Sequence, residues 1–368
     1  MEDRLTRLIN HRRALHEIPE TCYDLPETQE YVLRALKTTR AEVSAVSPSG
    51  VLAYFDMGAC STVAFRSDMD ALPVQETSGV PFVSRHAGKT HACGHDAHMA
   101  MQLALAEEIS RTPTRRNVLI ILQPAEESGN GAELMIGTGA LDKYGVSEIY
   151  ACHVEPSLKS GVIASRPGEF MARASEVHVT VRGKSSHIAE PQNGVDALMA
   201  GLRFVRETDI CVRERYANVR HLYGYGSFSS GRANNVISNE THIAGTLRAY
   251  DDAVFESIRQ DVLRIAEGIG RDTGARFEVE INKGYPPLIN SPECYERIKA
   301  AAQGLEFEYL PEPHLIAEDF ACYLRYRPGL MFNLGINTNT PLHDPAFRFD
   351  ESALVQGTQM FLNLANID

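Results

Sequence analysis

The chain has 368 residues, 43% hydrophobic and 23% charged, with a formal net charge of −12. That length exceeds what one hydrophobic core usually serves, so two domains are expected. The acidic balance argues against a nucleic-acid partner, because binding phosphates needs a basic surface. The opening run MEDRLTRLINHRRALHEIPE is charged throughout, and no later segment approaches the ~20 apolar residues of a membrane span. Seven cysteines, at 22, 60, 93, 152, 211, 294 and 322, form no disulfide framework. Together these features predict a cytoplasmic protein without membrane attachment.

Taken in chain order, helices are predicted over residues 4–18 and 27–38. Short apolar runs follow at 51–55, 63–65, 118–122 and 149–152, with a helical pattern at 99–109 between two of them. Strands alternating with helices predict a mostly parallel α/β sheet flanked by helices. The middle of the chain changes character. EVHVTVR at 176–182 alternates polar residues with valines, then come a helix at 195–215, strands near 219–226 and 241–248, a helix at 253–268 and the alternating RFEVEI at 276–281. The order β-α-β-β-α-β is that of a ferredoxin-like α+β domain. It is expected as an insertion, 174–284, in an α/β domain made of 1–173 and 285–368, which resumes with a helix near 293 and a strand at 330–334.

Ligands of open parallel sheets sit beyond the carboxyl ends of the strands. Residues of metal-ligand type follow the strand-like runs here. SDMD offers Asp68 and Asp70. HACGHDAHM, just ahead of a helix, offers His91, Cys93, His95, Asp96 and His98. QPAEES offers Glu126 and Glu127; His153 follows the fourth run, and His343 with Asp344 follows the last. Thiolate, imidazole and carboxylate together suit Zn²⁺ or its neighbours Mn²⁺, Co²⁺ and Ni²⁺. Cys93, His95, Glu127, His153 and His343 are too many donors for one catalytic zinc, which takes about three. Two metals with a bridging ligand, for which Cys93 is suited, would use all five. One carboxylate of the 126–127 pair can bind metal while the other moves the water proton. Asp70 fits the role of orienting a ligand. His91 and His98 are assigned to supporting or structural roles.

These residues resemble a known family, the bimetallic aminoacylase/carboxypeptidase G metallopeptidases. The branch resembled holds hippurate hydrolases, auxin–amino acid conjugate hydrolases and N-acetyldiaminopimelate deacetylases. The likeness runs through HRRALHEIPE, SDMDALPVQE, HACGHDAHM, LQPAEES, ACHVEP, GTLR, AEDF and PLHDPAFRFDE. It implies two divalent metals (Zn, Mn, Co or Ni) per chain on Cys93, His95, Glu127, His153 and His343, with Glu126 as general base. It implies that the inserted domain is a lid that also forms a homodimer. It further implies that His187 of GKSSHIAEP stabilises the oxyanion, and that Asn235 and Arg248 bind the substrate carboxylate. The branch commonly has Gly-Gly-His-Ala-Ala and then Pro-His where this chain has Ser185-Ser186-His187-Ile188-Ala189 and Pro191-Gln192. That departure touches the acyl or side-chain pocket, not the metal ligands.

The activity implied is hydrolysis of the amide bond of small N-acyl-L-amino acids such as N-acetyl amino acids. A dipeptidase or carboxypeptidase would use the same centre with another pocket. A metal sensor without chemistry is the reading from a different class, and it would have no use for Glu126.

Overall fold

A computed structural model describes residues 3–367 of the chain. They divide into two compact units. One is formed by residues up to Phe170, Ile289–Pro313 and the stretch from Glu318 on; the other by Met171–Leu288 and His314–Ala317.

The first unit is built on an eight-stranded sheet. Its order is Glu42–Val46, Gly50–Phe55, Asn117–Gln123, Thr62–Asp68, Val146–Glu155, Gly329–Gly335, Ile163–Ser165 and Phe307–Tyr309. The four central strands are mutually parallel, and antiparallel pairs appear toward the sides. Thr62–Asp68, Asn117–Gln123 and Gly329–Gly335 are buried along their whole length, which explains why they read as near-continuous apolar runs. The helix His95–Arg111 is covered over most of its surface and packs on Arg4–His16 and Leu354–Leu364. Phe361 of the last of these meets Phe65 and Phe332 at ring-centroid distances of 5.0 and 5.3 Å. Fully burying such a ring is worth roughly 2–3 kcal/mol.

Element ends differ from the sequence expectation at informative places. The first helix stops at His16 because Pro19 disfavours helical backbone just before it. The helix expected from 99 begins at His95, since Gly94 at φ 88° turns the chain directly into it. The strand expected to end at 152 runs on to Glu155, so His153 lies within it, opposite Asn333, and not beyond it. Glu42–Val46 gave no signal because it is short and nowhere fully buried.

The second unit has a four-stranded antiparallel sheet in the order Arg276–Ile281, Arg173–Arg182, Glu240–Ala249, His221–Ser230. With the helices Ala197–Arg215 and Asp252–Thr273 this is the ferredoxin-like order. Val177, Val179 and Val181 join Phe204, Ile258 and Val262 in its core, as the valine alternation requires. His221–Ser230 extends four residues past the expected end; its Gly- and Ser-rich tail is held by pairing with Glu240–Ala249 across a bulge at Ala244/Gly245. His314–Ala317 joins this unit through backbone bonds from Ala172 N–H to the carbonyls of His314 and Ile316. No described helix is long and apolar enough to cross a membrane, and all seven cysteines are free.

Candidate metal centre

Each parallel strand of the first unit delivers polar residues to its carboxyl end. Thr62–Asp68 delivers Asp68 and then Asp70, Asn117–Gln123 delivers Glu126 and Glu127, and Val146–Glu155 carries His153. Cys93 and His95 come from the loop and first turn ahead of the long helix. His343 comes from the segment after Gly329–Gly335, where φ is 67° and its N–H donates to Ala92 O at 2.9 Å. Non-glycine residues at positive φ are uncommon and mark positions that the surroundings over-determine. Ala125, directly before Glu126, is another, at φ 57°.

Cys93, His95 and His153 offer donor atoms within 4.8 Å of one another, and so do Cys93, Glu127 and His343. Cys93 belongs to both groups. Its Sγ is 3.5 Å from His153 Nε2, and Glu127 Oε1 is 3.7 Å from Nε2 of both His95 and His343. Tautomers follow from the other ring nitrogens. His95 Nδ1 donates to Asp70 O at 2.7 Å, and His153 Nδ1 donates to Val154 O at 2.8 Å. Both rings therefore turn an Nε2 lone pair toward the cluster. His95 Nε2 and Glu127 Oε1 are buried without a hydrogen bond, a costly arrangement unless a cation meets them. Burial holds the His95 and His153 rings well below the usual histidine range, His153 at about 3, so both are neutral as metal ligation requires. Burial and the carboxylates of Glu127 and Glu126 push the Cys93 thiol up. The donor set fits a divalent metal.

Asp70 reaches the pair of glutamates through backbone. Its Oδ1 accepts from Glu126 N–H at 2.9 Å and its Oδ2 from Glu127 N–H at 3.1 Å, while burial raises the carboxyl to about 8. Burial, and then the Glu318 carboxylate, push the Glu126 carboxyl well above its ordinary range.

His98, assigned a supporting or structural role from sequence, and Asp68 meet here three residues for which the sequence offered no role, Arg66, Glu318 and Asp319. His98 donates from Nδ1 to Asp68 Oδ1 at 2.7 Å and accepts at Nε2 from Val154 N–H at 3.0 Å. With both nitrogens engaged it supports the His153 strand and has no lone pair to offer a metal. Arg66, 1% exposed, pairs with Asp68 at 2.6 Å, Asp319 at 2.6 Å and Glu318 at 3.0 Å. Glu318 and Asp319 belong to AEDF, a motif with no role legible from its composition. His91 is buried with both ring nitrogens lacking a hydrogen bond.

His187, Asn235 and Arg248 belong to the second unit. There His187 bridges Val236, and Ile188 N–H donates to Asn235 O at 3.0 Å, so the His187 and Asn235 segments run side by side. Arg248 Nη1 donates to Leu315 O at 2.7 Å, while its Nε is buried without a hydrogen bond.

A parallel sheet presenting thiol, imidazole and carboxylate donors at its strand ends, with a further carboxylate beside them, is the constitution of a metal-dependent hydrolase. Residues 64–367 match peptidase family M20/M25/M40, and the chain belongs to that family. It is 36% identical over 361 residues to an N-acetyldiaminopimelate deacetylase of Streptococcus uberis, covering 95% of each chain. To another such deacetylase, from Leuconostoc citreum, it is 33% identical over 358 residues, covering 94% of this chain and 92% of the relative. A Bacillus subtilis structure described as a dinuclear metal binding peptidase from the M20 family superposes with a TM-score of 0.86 at 30% identity, covering 98% and 97%.

Proposed function

We propose that this metal-dependent amidohydrolase cleaves the amide bond of small N-acyl-L-amino acids, with N-acetyldiaminopimelate the first substrate to test. The observation that carries this reading is the pair of donor groups sharing Cys93, with the Glu126 carboxyl beside them. Cys93, His95, Glu127, His153 and His343 would hold two divalent metals per chain, drawn from Zn, Mn, Co or Ni. Such ions, when bound, polarise an amide carbonyl and make water more acidic. Glu126 takes the proton from water and returns it to the leaving nitrogen; burial raises its affinity for a proton, which makes the ionised carboxylate a stronger base for that transfer. Asp70 keeps the two glutamate backbones fixed and occupies the Nδ1 side of His95.

His187 is the donor to the carbonyl oxygen in this reading, and Asn235 with Arg248 binds the substrate carboxylate. The unpartnered Nε of Arg248 supports the last role. The second unit acts as a lid and as the surface of a homodimer. Support comes from the edge position of His221–Ser230 and from the exposed Phe228, Met199 and Leu202. Seven free cysteines suit a reducing cytoplasm.

The test is amine release from a panel of N-acetyl amino acids, N-acetyldiaminopimelate included, against dipeptides, with enzyme stripped by chelator and reloaded with each metal. Turnover of N-acyl amino acids that vanishes on stripping and returns with metal is expected. Turnover of dipeptides alone would replace the proposal with a dipeptidase, and metal uptake without any turnover would leave a sensor.

A further inference from the structure

We propose that Asp319 is a positioning residue, whose buried carboxylate, fixed by Arg66, holds in place the loop carrying Glu126 and Glu127. This rests on the roles given above to those two glutamates. The loop, residues 124–130, leaves the end of the strand Asn117–Gln123 and must deliver two adjacent carboxylates without regular secondary structure of its own. Three groups, among others, hold it along its length. At its centre Asp70 accepts from the N–H groups of Glu126 and Glu127. At its outer side Asn130 N–H donates to the Tyr23 hydroxyl at 2.9 Å. Just past its far end, in the first turn of the helix Gly131–Gly137, Ala132 N–H donates to Asp319 Oδ2 at 2.9 Å.

Asp319 is suited to be the rigid point of this arrangement. It has no exposed surface, and its three donors are themselves buried or anchored: Arg66 Nη2 at 2.6 Å to Oδ1, and Gln123 Nε2 at 2.7 Å and Ala132 N–H to Oδ2. Arg66 Nε and the Tyr323 hydroxyl in turn donate to the side-chain oxygen Oε1 of Gln123, each at 3.0 Å. The carboxylate thus joins the ends of two parallel strands to the exit of the loop. The loop has no slack to compensate, because a Cβ on Gly131 would stand 1.6 Å from Pro124 O. Neutralising Arg66 alone would not require this geometry, since Asp68 and Glu318 already face that guanidinium. The contact with Ala132 N–H is the one that acts on the loop.

Three variants separate positioning from mere charge balance. Asp319→Ala removes every contact; Asp319→Asn keeps an acceptor for Gln123 and Ala132; Ala132→Pro deletes the backbone donor and leaves Asp319 with Arg66. Pro is tolerated in the first turn of a helix, so this last variant spares Gly131–Gly137. Amide hydrogen exchange is followed by mass spectrometry on the metal-loaded enzyme, alongside Zn²⁺ affinity and kcat and KM for N-acetyl amino acids. Losing one buried charge-assisted bond should speed exchange of residues 124–132 and weaken Zn²⁺ binding by about tenfold or more in Asp319→Ala and Ala132→Pro. Exchange in the strands should stay unchanged, and kcat should fall with KM within about twofold. Asp319→Asn should recover most of the loop protection. Folded Asp319→Ala or Ala132→Pro with wild-type exchange in 124–132, or with wild-type Zn²⁺ affinity, would overturn the proposal. So would Asp319→Asn as impaired in loop protection as the alanine variant. If Asp319→Ala does not fold, Ala132→Pro decides alone. A wild-type enzyme inactive on every N-acyl amino acid would sink the substrate reading, and exchange and affinity would still judge Asp319.

Discussion

At the scale of single residues, chemistry here is assigned by what each side chain's other atoms are already doing. His95 and His153 spend Nδ1 on backbone carbonyls and keep Nε2, whereas His98 spends both nitrogens. The sequence placed His95 and His153 among the metal donors and His98 in a supporting role, but the hydrogen bonds that distinguish them are tertiary. Glu126 and Glu127 are likewise adjacent and alike, yet Glu127 Oε1 lies 3.7 Å from two imidazoles while Glu126 shares a buried group with Glu318 and Asp319. The two should therefore fail differently. Glu126→Gln is expected to keep its metal and its melting temperature while losing at least about 10²-fold in kcat, the usual cost of removing an acid–base group. Glu127→Gln is expected to lose metal, read by elemental analysis after gel filtration. The reverse pattern would exchange their roles.

At the scale of elements, the helix His95–Arg111 is clamped to Arg4–His16 by charge as well as by packing. Arg12 Nε meets Asp96 at 3.2 Å and its guanidinium stacks 4.1 Å from the Phe349 ring centroid. His16 Nδ1 lies 2.8 Å from Asp96 and its Nε2 3.1 Å from Glu76, while Arg12, His91 and Phe82 complete its surroundings. With a carboxylate at each nitrogen, both must donate, so the ring is an imidazolium. Burial opposes the charge, but the hydrogen bonds that His16 donates to Asp96 and Glu76 outweigh it and raise His16 to about 9. A raised pKa contributes stability that is complete below the ordinary value near 6.5 and is lost as pH climbs through 9. The Glu76 carboxyl, which burial would raise, is brought down to about 2 mainly by His16, so its share is lost on the acid side instead, below its ordinary 4.5. Thermal melts should be level from about pH 5 to 6.5 and decline toward pH 9.5. His16→Gln should cost of the order of 2 kcal/mol at pH 6 and little at pH 9.5. An equal cost at both pH values would mean that His16 is neutral in the fold.

At the scale of the whole molecule, the proposed lid and dimer make one sharp expectation. His187→Ala should be folded, metal-loaded and nearly inactive, because removing an oxyanion donor typically costs about 10²-fold or more. If His187 completes the partner's site, mixing this variant with Glu126→Gln pairs an intact Glu126 with an intact His187 in one site of each heterodimer. Activity near roughly a quarter of wild type should then return after subunit exchange. No recovery, with exchange verified by mass spectrometry, would place His187 in its own chain's site or outside the mechanism. A monomer by light scattering at micromolar concentration would remove the basis of the dimer.

How much was legible in advance depended on whether the signal was local. The buried central strands announced themselves because a strand covered on both faces must be apolar throughout, and Val177, Val179 and Val181 announced a one-sided sheet by alternation. The candidate donors were legible as residue types because thiol, imidazole and carboxylate side chains recurred near the ends of those runs, a pattern that needs no coordinates. What the chain alone did not determine was pairing across distance. That His153 lies inside its strand follows from Asn333 opposite it, some 180 residues later in the chain. That Arg66 and Gln123 meet Asp319 follows from sheet order and from the loop's return, and nothing in AEDF records it. Periodicity reports which face of an element is buried, because burial acts on each residue separately. Hydrogen bonds between distant side chains depend on both partners at once, so only the tertiary structure decides them.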